Sequence, residues 1–541
     1  MKRIQVYVLY GMLSTALLMA SCNKSFLDRP SLNNPTLDTY YNTPDEVNGA
    51  TSLLYNQVWY DFIDKAFHCI GEVYSGNMLT SAGDPNYGNN TYVYMTVQAT
   101  DGQDLNAWNA FYKVVGNANV LINTFQQKKA QVSDPAYLNQ GIAEARFIRG
   151  VAYFYIGRVY GDAPIITDPV ALADSGNFNV PRYYQEDVLK FALQDLEAAE
   201  AGLPATPYQP GRVTKYSAIG MEAKLFLYLA TFFNQPQYYD SAAVKAREVI
   251  DYAQSTGNIA LNPDYLGMFT NPDIAKASKE TLFALQWVAS GGYSYANAIQ
   301  AYAGPAPLLK PDFNTGYSSV IPTLDLLNAY QSGDLRKSWS VMQQGFHRAD
   351  WKNVNFPNGF TYDTMPGGQP DDAYHITTGT RSNSLKYVIG PKSTGFNFSS
   401  QGGNDMPIYI LRYADVLLIY AEAVLGTQAS TSDPSALAAF NAVHERAGLP
   451  PVSSLTKDMI MYERRVEFAF EGDYWFDIQR QGFAKAQQII NAQERGTLNG
   501  DGSINHLGGN LHSPEQLFMP IPSDEVLADP ELAQPPVHYH F

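Results

Sequence analysis

The chain has 541 residues, with 52 acidic against 36 basic side chains and a formal charge of -16. That balance argues against nucleic acid or an anionic membrane surface as a partner, since each demands a basic face. Charged residues make up only 16% of the chain against about 25% in typical soluble domains, while 38 Tyr, 27 Phe and 6 Trp supply more rings than a core needs, so that tyrosines must reach the surface and uncharged ligands fit best.

At the N-terminus, Lys2 and Arg3 precede an apolar run from Val6 to Ala20. The run is shorter than the roughly 20 residues that cross a bilayer and ends in small residues, so 1–21 reads as a signal peptide. Leu18-Met19-Ala20-Ser21-Cys22 resembles a bacterial lipobox, in which the cysteine thiol receives diacylglycerol and becomes the acylated N-terminus after cleavage. Three acyl chains, at about 0.8 kcal/mol per buried CH₂, anchor a protein firmly without a transmembrane helix. Loss of Lys2 and Arg3 takes the charge from -16 to -18. With Cys22 lipidated, Cys69 has no disulfide partner and reads as a small buried apolar residue.

Asn23 to Asn42, rich in Asn, Pro and Thr, is expected to be a tether. Helices are expected in order at Asn106 to Lys128; on the face Ala145, Ile148, Ala152, Tyr155 and Val159, stopped by Gly161 and Pro164; at Asp187 to Ala201; on Ala218, Met221, Leu225, Leu229 and Phe232; and at Tyr238 to Gln254. Short strands are expected at Thr281 to Val288 and Lys386 to Ile389. Further helices follow on Leu411, Ala414, Leu418, Ala421 and Leu425, at Ser435 to Ala447 and at Lys457 to Phe470. Small residues such as Ala152, Ala223 and Ala421 mark close approaches between helices that come in pairs. The expectation is a mainly α fold, with tetratricopeptide-like helix pairs as scaffold, long loop insertions and a few short strands. No low-complexity linker divides 22–541, so one body is expected, with insertions at Gly76 to Gly102, Ala289 to Pro322 and Gln343 to Asp405.

AEARFIRGVAYFYIGRVYGDAPIITD at Ala143 to Asp168 closely resembles the helix-and-turn signature of the SusD/RagB family. ILRYADVLLIYAEA from Ile410, NAVHERAGL from Asn441, YERRVEFAFEGDYWFDIQR from Tyr462 and the closing Pro520 to Leu532 segment extend the likeness over the whole mature chain. The resemblance implies an N-terminal SusD-like part at about 22–235 and a C-terminal SusD/RagB part at about 280–541. It further implies a surface lipoprotein of the outer membrane, facing outward, that lids a SusC-like TonB-dependent transporter and passes oligosaccharides to it. The same architecture serving peptide uptake is the alternative. Arg146, Arg149, Arg412, Glu463, Arg464, Arg465, Glu467 and Glu471 are expected to form structural ion pairs, since these motifs mark the scaffold.

No enzyme is expected. Glycoside hydrolysis needs two carboxyls about 5 to 10 Å apart across the scissile bond, whereas Glu463, Glu467 and Glu471 recur every four residues and share one wall. No Gly-x-Ser-x-Gly elbow or phosphate-binding loop occurs, and no cofactor or metal is expected. Asn499, Asp501 and Ser503 start like a calcium loop, but Ile504 and Asn510 replace its Gly and Glu, so a tight turn is expected. Sugar binding asks instead for flat rings beside short polar groups. Candidates are Trp287, Tyr293, Tyr295 and Tyr302, with Ser294, Asn297 and Gln300; Asn77, Asp84, Asn86, Tyr87, Asn89 and Tyr92; and Trp351, Asn353 and Tyr362.

Overall fold

Helical periodicity dominates the computed structural model of the chain, which describes residues 40–80, 90–364, 376 and 378–541. Helix α1 (Pro44–Ser52) opens on a capping box, in which Thr43 accepts from the Glu46 amide and Glu46 reaches back to the Thr43 amide. Helix α2 (Gly102–Lys128) is capped by Asp101, which accepts from the Gln103 and Asp104 amides. Helix α3 (Ala136–Val159) is buried nearly all round, and Gly161, at φ 73°, turns the chain away after it. Helix α4 (Gln185–Gly202) lies against α3. Two glycines on α3 permit that approach: a Cβ at Gly157 would stand 2.8 Å from Leu189 Cδ2, and one at Gly150 3.0 Å from the Ala192 carbonyl oxygen.

Helix α5 (Lys215–Phe232) pairs with α6 (Gln237–Thr256), which in turn packs against α7 (Tyr413–Leu425); α7 packs on α8 (Pro434–Arg446) and α9 (Lys457–Glu467). The paired helices expected from the periodicity are present.

The strands are short and antiparallel. Strand β1 (Met78–Thr80) meets β3 (Val320–Pro322) in the register Leu79↔Ile321, and β2 (Thr281–Leu285) meets β4 (Ile408–Arg412), with a bulge near Phe283. Here the sequence expectation needs three corrections. Leu411 pairs with Phe283 in β4, so the helix begins only at Tyr413. Lys386 to Ile389 is not a strand, because Tyr387 stands at φ 67°; the strand is Asn383–Ser384, paired with Val341–Met342. Helix α9 ends at Glu467, short of Phe470, which adopts φ 70°. Asn499 to Ser503 does form a tight turn, joining Thr497–Leu498 to Ile504–Asn505.

Two buried charge clusters bind these elements together. In one, Arg412 pairs with Glu280, with Glu467 at 3.1 Å and with Glu471 at 2.7 Å, while Arg336 meets Glu463 at 2.6 Å and Arg446 meets Glu467 at 2.6 Å. In the other, Lys224 and Arg464 share Asp415, and Lys224 and Arg158 share Asp473. Burial alone would push the Glu467 carboxyl up, yet Arg446, Arg412 and Arg336 together hold it down at about 2. Arg149 pairs with Asp195 at 2.6 Å and Arg465 with Asp325 at 2.6 Å. Arg146 is the exception among the motif charges, since it forms no ion pair among the described residues and its buried Nε lacks a hydrogen-bond partner.

Candidate functional site

The ladder of β2 stops at Leu285 because the next amide, of Gln286, donates to the Tyr55 carbonyl at 2.9 Å. The Asn56 side-chain amide donates to the Gln286 carbonyl and, at 3.4 Å, to that of Tyr295. Val288 N–H also donates to the Tyr295 carbonyl, at 2.7 Å. These bonds close Val288 to Tyr295 into a small loop that turns at Gly292, where φ is 96°.

Tyr295 stands on that loop 43% exposed, and Tyr293 is partly buried beside it, with Tyr60 edge-on at 6.2 Å. Below them the Tyr293 and Tyr302 hydroxyls are hydrogen-bonded, Tyr302 donates to Asp64, and Lys65 closes on Asp64 while reaching within 3.3 Å of the Tyr302 hydroxyl. Burial first, and then the Asp64 charge, push the Tyr302 and Tyr293 phenols far up. Both therefore keep their protons at neutral pH and remain donors. Tyr317, 60% exposed, completes the patch from the Asn314 to Ser319 loop, which the Ala301 carbonyl holds through the Gly316 and Tyr317 amides. The rim carries Asp61, ion-paired with Lys113 at 3.8 Å.

The arrangement is a shallow set of tyrosine rings over a hydroxyl, carboxylate and ammonium floor. It can stack flat apolar faces and bond a hydroxylated edge. Asp61 and Asp64 rise from one short stretch of chain, so they share a wall and cannot flank a bond between them.

Of the residues singled out from the sequence, Tyr293 and Tyr295 lie in this patch, and Tyr302 is its floor, 5% exposed, with its ring covered. Trp287 and Trp351 are corrections, being 2% and 0% exposed. Trp351 packs against Phe346 and Phe360 with the Gly390 backbone on its face, where a Cβ would lie 2.7 Å from the indole. Asn77 is also buried, donating to Glu72 at 3.1 Å and accepting from Arg465 at 3.0 Å, which makes it part of the scaffold.

Tyr92 and Tyr362 are buried with their hydroxyls on Asp101 and Asn383. Asn297 donates to the Met406 carbonyl, Gln300 accepts from the Ile389 and Gly390 amides, and Asn353 donates to the Pro307 and Leu308 carbonyls. Cys22, Asp84, Asn86, Tyr87 and Asn89 lie outside the described residues; Thr80 and Asn90, which flank the last four, are hydrogen-bonded to each other. Sequence reasoning missed Tyr60 and Tyr317. For Tyr317 a signal exists, a ring between Gly316 and Ser318 inside an insertion.

With that geometry in view, likeness to known proteins adds identity. Residues 279–538 match the model of the SusD family, and residues 39–227 match one described as starch-binding associating with outer membrane. A SusD-like protein of Bacteroides ovatus is 30% identical over 569 residues, covering 98% of this chain and 97% of its own length. SusD-like protein P2 of Formosa agariphila is 26% identical over 69% of this chain and 70% of its own.

A crystal structure with xylogluco-oligosaccharide superposes with a TM-score of 0.79 at 28% identity, covering 92% of this chain and 99% of that one. A SusD-like carbohydrate binding protein of Bacteroides fragilis shares the fold at a TM-score of 0.72 and 21% identity, over 91% of this chain and all of the other. The chain therefore belongs to the SusD family.

Proposed function

We propose that the protein captures neutral oligosaccharides at the cell surface and delivers them, without cleaving them, to a SusC-like TonB-dependent transporter. The observation that carries this reading is the ring patch of Tyr293, Tyr295 and Tyr317 over the Tyr302, Asp64 and Lys65 floor. A pyranose offers an apolar C–H face to such rings and hydroxyls to such a floor, and an open surface suits a chain of sugars better than a deep pocket. The similar structure solved with a xylogluco-oligosaccharide supports a β-glucan backbone as the first ligand to try.

Attachment through Cys22 is the second half of the proposal. No helix among the described residues is long and apolar enough to cross a membrane, which is compatible with a lipid anchor. Calorimetric titration of the purified protein against soluble polysaccharides, xylogluco-oligosaccharide and a peptide panel tests the ligand class. Binding to peptides alone would overturn the glycan reading in favour of peptide uptake. Co-purification with an outer-membrane transporter tests the partner, and its failure from cells that import the glycan would overturn delivery.

A further inference from the structure

Beyond the ring patch, on the far side of Gln286, the connection between α4 and α5, the end of α6, the 275–279 segment and one side of β2 line a cavity of about 410 Å³. That volume falls within the roughly 300 to 1,000 Å³ usual for small-molecule sites. Its lining is unlike the rest of the molecule. In a chain with 52 acids against 36 bases, no Asp or Glu among the described residues lines it, whereas Arg212, Lys276 and Lys279 do.

These cations differ in how far they are committed. Arg212 is bound to Glu144 at 3.0 Å, and Lys276 stands 3.5 Å from Asp405. Lys279 donates to the neutral Gly257 carbonyl at 2.9 Å, and among the described residues it is ion-paired to no carboxylate. Beside it, the Ser278 hydroxyl accepts from Asn262 Nδ2 and the Glu280 amide, both at 3.2 Å, so its own proton is available to donate. The Tyr252 ring, stacked on Tyr216 at 3.6 Å, forms a stiff wall.

Lys279 is therefore the cation of this lining left to meet a ligand, and a concave wall concentrates its field. An ammonium and a hydroxyl side by side present charge-assisted donors to one anionic group. We infer that this cavity is a second binding site, taking an acidic monosaccharide unit whose carboxylate meets Lys279 and Ser278 while its ring lies toward Tyr252. The cavity adjoins the ring patch through Gln286, which lines it and whose carbonyl shares the Asn56 amide with that of Tyr295. The inference does not depend on the ring patch binding glycan.

The test uses the purified protein in detergent and glucuronate, galacturonate, glucose and inorganic sulfate as separate probes, followed by calorimetry and ligand-observed NMR. Saturable binding of a uronate but not of glucose is expected, weakening with added salt. Lys279→Ala should lower that affinity roughly tenfold or more, since a charged hydrogen bond is lost, while Lys279→Arg retains most of it. Tyr295→Ala should leave uronate binding unchanged while weakening neutral oligosaccharide, which separates the two sites. Failure of both uronates to bind, equal binding of glucose, sulfate binding as tight as uronate, or a folded Lys279→Ala with unaltered uronate affinity would each overturn the inference.

Discussion

Replacing Tyr317 by alanine removes a ring that contributes little to folding and, on the proposed function, much to binding. A fully exposed tyrosine offers on the order of 200 Å², so at 60% exposure roughly 120 Å² stands in water. A sugar ring covering one face removes about half of that, which at about 25 cal/mol per Å² is worth about 1.5 kcal/mol, or roughly tenfold in affinity. Tyr295, at 43% exposure, should lose about 1 kcal/mol, roughly fivefold, by the same reasoning. Calorimetry with xylogluco-oligosaccharide, or with whichever polysaccharide binds best, measures the loss, and thermal unfolding checks the fold. The melting temperature should barely move for either variant, because exposed loop side chains carry little stability. Unchanged affinity in both variants, with intact folding, would refute the placement of the ligand on these rings.

Trp351→Ala should behave in the opposite way, costing about 3 to 5 kcal/mol of stability for an emptied core site, read as a lower urea midpoint; a neutral outcome would mean that the indole is not enclosed. Acid should loosen the charge clusters. Glu467 and Glu422 sit at about 2 in the folded chain, held down against burial by Arg446, Arg412 and Arg336 for the first and by Arg480 for the second. Their contribution, of order 3 kcal/mol each, is complete above the ordinary Glu value and is lost as pH falls from about 4.5 toward 2, so denaturant midpoints should drop through that window.

At the other end, burial pushes the Asp104 carboxyl up to about 8. The folded chain then holds a proton that the unfolded chain releases, and stability falls as pH rises from about 4 to 8; Asp104→Asn should flatten that decline, and an unaltered slope would remove Asp104 as its cause. Cys22→Ala should abolish lipidation and shift the protein out of the outer-membrane fraction, with antibody labelling of intact cells as the companion test of orientation.

The helices were legible because each buries a stripe with a fixed period, and the family motifs carry the charges that join them. The failures come where the same residue types serve another backbone. Leu411 continues the spacing of the helix at Ala414 and Leu418, yet its amide and carbonyl belong to β4, a pairing with Phe283 more than a hundred residues earlier in the chain. Trp351 reads as a platform because it stands in a Gly- and Asn-rich insertion. That insertion has its own small core of Phe346, Phe356 and Phe360, and the largest ring is the one it hides. Ring type and loop setting together do not say which side faces water. Tyr293 and Tyr295 share one short turn, and only the closure of that turn by Asn56 and Val288 sets how far each projects.

The buried charge clusters also impose a schedule on biosynthesis. A ribosome delivers Arg158 315 residues ahead of Asp473, and Lys224 191 residues ahead of Asp415. Arg412 follows one partner, Glu280, and precedes the others, Glu467 and Glu471, by 55 and 59 residues. Until those acids are made, the early helices carry cations that a dry interior rejects at several kcal/mol each. Full docking of the helices that carry Arg158 and Lys224 is then expected to follow synthesis of Asp415 and Asp473. If residues 1–21 direct secretion, as their sequence suggests, that delay would favour passage through a translocation pore, since the pairing that would lock the early segments depends on residues that emerge late.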